Sequence, residues 1–430
     1  MSELLGSAGG MAAAHTYVDV VNRVDVLVVG GGTAGTIAAI QAGRAGARTL
    51  LIERSGQLGG TMTTGGVAFS GLFDAWGRQI IAGIGWELVK ECVALDGGEL
   101  PDFTVVPPRH WMNQVKVNQY LYVLLAEEKC RAAGVEIAYY EFPISISALA
   151  SPNFDPNFDP NYGSNSGPTS NLNANPSASD RLGDGWQVDC IGFGTRRRIF
   201  CRQIIDCTGG AEVVGMLGLP RLREEQIQPA SILFSLEKPY QAGRVGVTEA
   251  LYVPGADSSN SRTVTAANIR GRQTLLAHLR SSGKRLLHLQ PEVGFRESYR
   301  IVGETMITVE DYTSGRVFAD AVCYAFYPVD LHTEAGVVPK PLKPGIVPTI
   351  PLSALIPKGS RNIMVAGRSV SSDRLANSGL RVQASCMAMG QVAGMAAALA
   401  AARAMTPLEV PLEELKDELV KQGTIVPSRE

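Results

Sequence analysis

The chain has 430 residues, 45% hydrophobic and 19% charged; at about 150 residues per domain this is room for two or three domains and a large buried core, and disorder of the whole is excluded. Lys and Arg number 39 against 41 Asp and Glu, a net charge of -2, so no overall field draws the protein to nucleic acid or to an anionic membrane. The seven cysteines, at 92, 130, 190, 201, 207, 323 and 386, form no Cys-x-x-Cys pair, which argues against a disulfide framework, a metal site and a redox dithiol and for reduced thiols in a cytoplasmic setting.

Residues 1–23 carry no basic stretch followed by an apolar core and read as a loose arm rather than a signal peptide. A valine-rich run over 24–29 predicts a strand of a parallel sheet covered on both faces. It ends on Gly30-Gly31-Gly32-Thr33-Ala34-Gly35; a small-residue helix to about Arg44 and a strand over 48–52 closing on Glu53 complete a βαβ unit. Gly30, Gly32 and Gly35 fit G-x-G-x-x-G. The first permits a tight turn, the second lets backbone approach a pyrophosphate, the third lets helix and strand pack closely, and the helix start supplies an anion site. Glu53, about 20 residues on, is placed to accept hydrogen bonds from a ribose. Gly59-Gly60-Thr61 and Thr63-Thr64-Gly65-Gly66 follow almost at once, clusters for which a nicotinamide enzyme has no need.

Over 115–133, Val117, Leu121, Leu124 and Leu125 opposite Glu127, Glu128 and Lys129 predict an amphipathic helix stopped by Gly134, with a strand over 135–140 after it. His110 and Trp111, just before it, line a pocket or belong to the core. Residues 151–184, with Asn-Phe-Asp-Pro repeated at 153 and 157, hold too little apolar surface to pack and read as a flexible insertion in a surface hairpin. Paired strands over 186–191 and 197–202 lead to a strand over 204–206 and the turn Cys207-Thr208-Gly209-Gly210. Residues 220–358 lack this βα grammar. A strand over 362–366, the turn at Gly367-Arg368 and a helix from about Met387 return to it. The cofactor domain is thus discontinuous, over 24–95, 115–218 and 359–405; 220–358 with 96–114 form a substrate or cap domain, and 1–23 and 406–430 are arms. The uncharged stretch 385–402, built on Ala, Gly and Met with Gln391, reads as a buried small-residue helix, not a membrane span.

Taken in order, Glu53-Arg54, Leu58-Gly59-Gly60, Ile204-Ile205-Asp206-Cys207-Thr208-Gly209-Gly210, Asn362-Ile363-Met364-Val365-Ala366-Gly367-Arg368, and Leu380-Arg381-Val382 running into Met389-Gly390-Gln391-Val392-Ala393-Gly394 resemble FAD-dependent oxidoreductases of the two-dinucleotide-binding type, related to fumarate reductase flavoproteins. The resemblance implies an α/β fold: a Rossmann-like FAD-binding domain with a parallel central sheet and β-meander, plus a second α+β domain. It implies noncovalent FAD at Gly30, Gly32, Thr33, Ala34, Gly35, Glu53, Arg54, Gly59, Gly60, Thr61, Pro143, Thr208, Gly209, Gly367, Arg368, Met387 and Ala388, the last helix turning its N-terminus to the flavin. Cys207 and Gly210 stand where the family usually has Ala and Asp. No histidine lies between His15 and His110, so a histidine in the N-terminal loop cannot carry a covalent flavin.

The segments from Arg296 to Glu304 and from Tyr327 to His332 look like ones that recur in this family. Dehydrogenation by flavin needs hydride delivered to N5 while a base takes a proton. His332, beside Asp330, is the best base available, or else a structural histidine. Arg296 and Arg300, four apart, clamp a carboxylate, or Arg300 pairs with Glu304. Arg381 binds an anion or serves the helix end. Cys386 is a thiol activated by a helix N-terminus and a candidate for covalent flavin, or a small apolar filler. The expected function is hydride transfer between flavin N5 and a small polar organic substrate, with electron acceptor and oligomeric state unspecified. The alternatives are a flavin enzyme of isomerase or hydratase type and a nicotinamide-dependent dehydrogenase using only the first βαβ unit.

Overall fold

The computed structural model describes residues 17–149, 185–237, 247–337 and 339–428; the insertion expected over 151–184, most of the N-terminal arm and the side chains of His110 and Trp111 lie outside the described residues. A seven-stranded mixed sheet forms its centre. Its first unit is β1 (Val18–Val29), α1 (Thr33–Arg44) and β2 (Thr49–Glu53). After α2 (Ile84–Leu95) and α3 (Gln119–Ala132) come β3 (Glu136–Tyr139), the meander strands β4 (Phe142–Ala148) and β5 (Trp186–Gly192), and β6 (Thr195–Asp206). A separate antiparallel sheet holds β7 (Ala230–Leu236) between β8 (Val247–Val253) and β9 (Leu286–Leu289), with α4 (Ser261–Ser282) packed on it. The chain then returns to the central sheet with β10 (Ile363–Val365) and α5 (Gln383–Arg403).

The parallel strands lie in the order β3, β2, β1, β6, β10. The chain direction of this order reverses between β1 and β6, and in open α/β sheets ligands bind outside the carboxyl ends of the strands at that point. Alternation along the strands explains their unbroken apolar sequences. Val26, Val28, Leu51, Ile205 and Met364 face the core under α1 and α5, while Leu27, Val29, Leu50, Ile52, Ile204 and Ile363 face a second core on the opposite side.

β1 starts at Val18, six residues before the predicted 24, so 18–23 are not part of a loose arm. They pair with Thr195 to Phe200, the half of β6 that carries β5 on its other side. Val18 and Val21 are exposed there, which left no buried pattern to read. The arm expected over 406–430 also corrects: a helix over Leu412–Lys421 buries Leu415 and Leu419 in the main core. α5 begins at Gln383 instead of about Met387 and is buried nearly all round. By length and composition it is apolar enough to cross a membrane, yet 94% of its most apolar stretch is buried inside the protein.

The small residues of α5 have a steric cause. A Cβ on Gly390 would lie 2.2 Å from the carbonyl oxygen of Ala34, and one on Gly394 would lie 2.3 Å from that of Ala38. Backbone of α5 therefore rides directly on backbone of α1. Gly390→Val should lower stability by about 3 kcal/mol or more, as overpacking against unyielding backbone does; an unchanged urea midpoint would contradict the contact.

Candidate functional site

A cleft opens across the carboxyl ends of β1, β2 and β6. Gly30, Gly32, Thr33, Ala34, Glu53, Arg54, Gly60, Thr61, Pro143, Thr208, Gly209, Gly367 and Arg368 all contribute to its wall. Gly30 turns at φ +98°, and a Cβ there would sit 2.6 Å from the oxygen of Cys207. A Cβ on Gly32 would meet nothing within 4 Å; since Gly32 is on the wall, that space is the cleft. Gly32 gives α1 no side-chain cap, and no acidic residue occupies its first turn. The amides at the start of α1 are thus presented to the cleft as an anion site. Gly35 and Gly59 are off the wall. Gly35 is where helix and strand touch, a Cβ there falling 1.8 Å from the oxygen of Gly30, and the N–H of Gly59 donates to the oxygen of Gly31 at 2.8 Å.

Two carboxylates fix the loops. Glu53 accepts from the N–H groups of Gly31 and Ser55, each at 2.7 Å. Asp206, wholly buried at the end of β6, accepts from the Thr208 N–H at 3.0 Å, the Thr208 hydroxyl at 2.7 Å and the Val214 N–H at 3.2 Å; burial pushes its carboxyl above the usual range despite these bonds. Arg368 braces the opposite side, donating from Nε to the oxygen of Gly209 at 2.6 Å and from Nη1 to that of Phe295 at 2.7 Å. Burial, with Arg54 and Arg381 near, pulls its pKa down to about 10.

The N-terminus of α5 does meet the cleft, through other residues than predicted. Gln383 and Cys386 are on the wall, whereas Met387 and Ala388 are buried in the core. Because the helix starts four residues earlier, its first turn faces the cleft and those two positions fall behind it. Cys386 also corrects as an activated thiol. Its Sγ donates to the oxygen of Arg381 at 3.3 Å, and burial pushes its pKa up to about 12, the opposite of the lowering expected at a helix start.

Of the four residues expected to act on substrate, Arg296 and Arg381 line the cleft and Arg300 and His332 do not. Arg300 is buried against Glu224 at 2.8 Å and donates to the oxygen of Ser372 at 3.0 Å. Neither the clamp with Arg296 nor the pair with Glu304 forms, because residues 296–299 are loop, not helix, and a spacing of four shares a face only on a helix. Glu304 instead accepts from the Gly359 N–H at 2.7 Å.

His332 stands in a hydrogen-bonded row behind the two arginines. Its Nε2 lies 3.0 Å from Asp330 Oδ2, its Nδ1 lies 2.8 Å from the Tyr252 hydroxyl, and its backbone N–H donates to Gln228 Oε1 at 2.9 Å. An ionised Asp330 only accepts, which assigns the ring proton to Nε2 and makes Nδ1 the acceptor for Tyr252. Burial lowers the His332 pKa below 6.5, and the bond to Asp330 does not fully offset it. Arg381 Nη2 donates to the oxygen of Asp330 at 3.1 Å, and its buried Nε has no hydrogen-bond partner. The guanidinium of Arg296 lies 5.3 Å from the Tyr252 ring centre and donates to the oxygen of Pro229 at 2.6 Å and the Ser231 hydroxyl at 2.9 Å; burial and the charge of Arg381 pull its pKa down to about 10. Tyr252, Gln228 and Gln383 escaped sequence reasoning. They come from separate elements and carry no local motif.

Among the described residues no group of three or more His, Cys, Asp or Glu is placed to hold a metal. A sheet of this order, with an uncapped glycine-rich helix start at its switch point, defines a dinucleotide-binding protein. Residues 25–154 and 233–419 match the family model described as FAD dependent oxidoreductase, and the chain belongs to that family: it is an oxidoreductase with FAD as its cofactor. That match sets aside the nicotinamide-dependent alternative. A sequence search of curated proteins finds no match. Solved structures with a similar fold include the anhydrotetracycline hydroxylase OxyS from Streptomyces rimosus (14% identity, 93% of this chain and 66% of that one, TM-score 0.46). Others are a geranylgeranyl bacteriochlorophyll reductase-like protein from Thermoplasma acidophilum (11%, 94% and 84%, 0.43) and the myxobacterial chondrochloren halogenase CndH (12%, 92% and 78%, 0.44). The chain spans just under two thirds of the hydroxylase's length.

The cleft fits FAD on two observations, the uncapped amides at the start of α1 and the open space that a Cβ on Gly32 would enter. Gly32→Trp should therefore abolish flavin retention, read as loss of the 450 nm band relative to 280 nm in folded protein. Normal flavin content in the variant would refute the site.

Proposed function

We propose that this protein moves a hydride between flavin N5 and a small polar substrate held by Arg296 and Arg381, with Tyr252, His332 and Asp330 carrying the accompanying proton. The observation that carries the reading is the unbroken row from Tyr252 through His332 to Asp330, set directly behind two arginines of the cleft wall. When bound, FAD supplies the group that takes or gives the hydride.

In this reading Gly30, Gly32, Thr33 and Ala34 would hold the pyrophosphate and Glu53 the ribose. Arg54, Gly60, Thr61, Pro143, Thr208, Gly209, Gly367 and Arg368 would hold the rest, and Gln383 the flavin end. The buried, protonated thiol of Cys386 supports noncovalent attachment. Arg381 is suited to a polar or anionic substrate because its buried Nε makes no bond within the protein, a deficit that an acceptor on the substrate offsets. As the substrate gives up a proton to the Tyr252 oxygen, Tyr252 passes its own to His332 Nδ1, and ionised Asp330 stabilises the resulting imidazolium. The division into a cofactor domain and a substrate domain over 220–358 belongs to the same proposal. It is supported by the separate core under β7, β8 and α4, built on Ile232, Phe234, Val253 and Leu275.

Screening carboxylates, sugars and enones for reduction of the bound flavin supplies the assay. His332→Ala should keep its FAD and slow that reduction by about 100-fold or more. In the wild type the rate should be level above pH 7 and fall as the pH drops through the depressed His332 pKa, because the protonated ring cannot accept; this acid limb should vanish in the variant. A rate within a few-fold of wild type would return His332 to a structural role.

A further inference from the structure

The described residues form a second, half-open pocket, of about 480 Å³, that shares no wall residue with the FAD cleft. Its size falls within the ~300–1,000 Å³ of small-molecule sites. Trp76 and Phe326 meet edge to face on its wall with ring centres 5.4 Å apart, and Leu72, Val106, Leu342 and the prolines of two loops extend this apolar part of the lining, while Arg109 and Asn113 add polar groups to it.

One carboxyl, that of Asp74, belongs to the same wall. Asp74 is 4% exposed; its Oδ2 accepts from the side chain of Asn113 at 2.8 Å, while Oδ1 is buried with no partner. Burial holds its pKa above the usual carboxylate value, with the Asn113 bond opposing. Asp74 is a wall residue of the cavity, and the terminal torsion of an Asp is broad.

The backbone beside it is strained. Asp74–Ala75 and Arg78–Gln79 pair as a hairpin whose two-residue loop is Trp76-Gly77. Trp76 takes φ 52° and Gly77 φ 80°, a turn for which Asn, Asp or Gly is the usual first residue. A tryptophan there is an outlier, and its Nε1 is tied to the oxygen of Ile346 at 2.8 Å. Strain of this kind persists where the surroundings impose it and gathers at ligand clamps. Here it sets an indole ring on the wall next to the unpartnered carboxyl.

We infer that this cavity is a binding site for a flat aromatic molecule with an N–H or O–H donor at one edge, the ring packed against Trp76 and Phe326 and the donor bonded to Asp74. The site is separate from the FAD cleft and does not depend on how that cleft reacts.

The test is calorimetric titration of the full chain carrying its FAD with indole and with benzofuran, which has the same shape but an oxygen in place of the N–H. Indole should bind about tenfold or more tightly than benzofuran, the difference of one charge-assisted hydrogen bond. Asp74→Asn keeps the shape and the Asn113 contact but turns an amide donor toward the cavity; it should erase or reverse that preference. Leu342→Trp, which fills the cavity, should remove the binding of both probes while leaving FAD content unchanged. No binding of either probe to wild type, equal affinities for the two, or undiminished indole binding by Leu342→Trp would each overturn the inference.

Discussion

The end of β1 has to meet the end of β6 with no side chain between them, and the rest of the site depends on that contact. The Cys207 N–H donates to the oxygen of Val29 and the Gly30 N–H to that of Ile52, both at 2.8 Å, so the three strand ends are tied to one another through backbone alone. The turn that follows can then deliver the amides of α1 to the switch point of the sheet. The same rule continues outward, since α5 lies on α1 through Gly390 and Gly394. This brings Gln383, at the start of α5, to the cleft beside Thr33, 350 residues earlier in the chain. A single added carbon at these contacts displaces a strand end or a helix, not a side chain.

Charge is distributed on the same plan. The whole chain is close to neutral, at -2, yet Arg54, Arg296, Arg368 and Arg381 gather on one cleft wall with Glu53, Glu212 and Glu292. Burial already disfavours Arg296, Arg368 and Arg381, and the charge of neighbouring arginines adds to it, which is why Arg296 and Arg368 fall to about 10. Carbonyl oxygens of Gly209, Phe295, Pro229 and Asp330 hold three of them in place. Arg381 also lies 3.8 Å from the Asp330 carboxylate, whereas the buried Arg296 and Arg368 are braced by neutral oxygens; an anion relieves that electrostatic deficit, and FAD brings two phosphates.

What the sequence revealed was local. The glycine spacing at Gly30, Gly32 and Gly35, the carboxylate at Glu53 and the turns at Thr208 and Gly367 each sit in one short segment whose backbone demands those residues, and the structure brings all of these but Gly35 to one cleft wall. Long-range pairing was not visible. Residues 18–23 show no buried face to read because Val18 and Val21 are both exposed although the segment pairs with β6. The start of α5 was misplaced because Gln383 and Ser385 lack apolar character although the tertiary structure buries them. That displacement moved the cleft-facing positions from Met387 and Ala388 to Gln383 and Cys386. Arg300 looked like a partner of Arg296 only under a helical spacing that this loop segment does not have. His332 was legible with Asp330, two residues away, but Tyr252 arrives from β8 and Gln228 from a distant loop, so the row they form exists only in the folded chain.

The central claim is that this backbone-lined cleft holds FAD without a covalent bond. Its most direct test is the visible spectrum of the purified protein, recorded native and again on the supernatant after denaturation and removal of the precipitate, with the released species identified by mass. The account predicts a flavin spectrum in the native protein and FAD released in full into the supernatant. Colour retained in the pellet would contradict the noncovalent attachment, and a colourless protein that takes up no FAD on reconstitution would contradict the site itself.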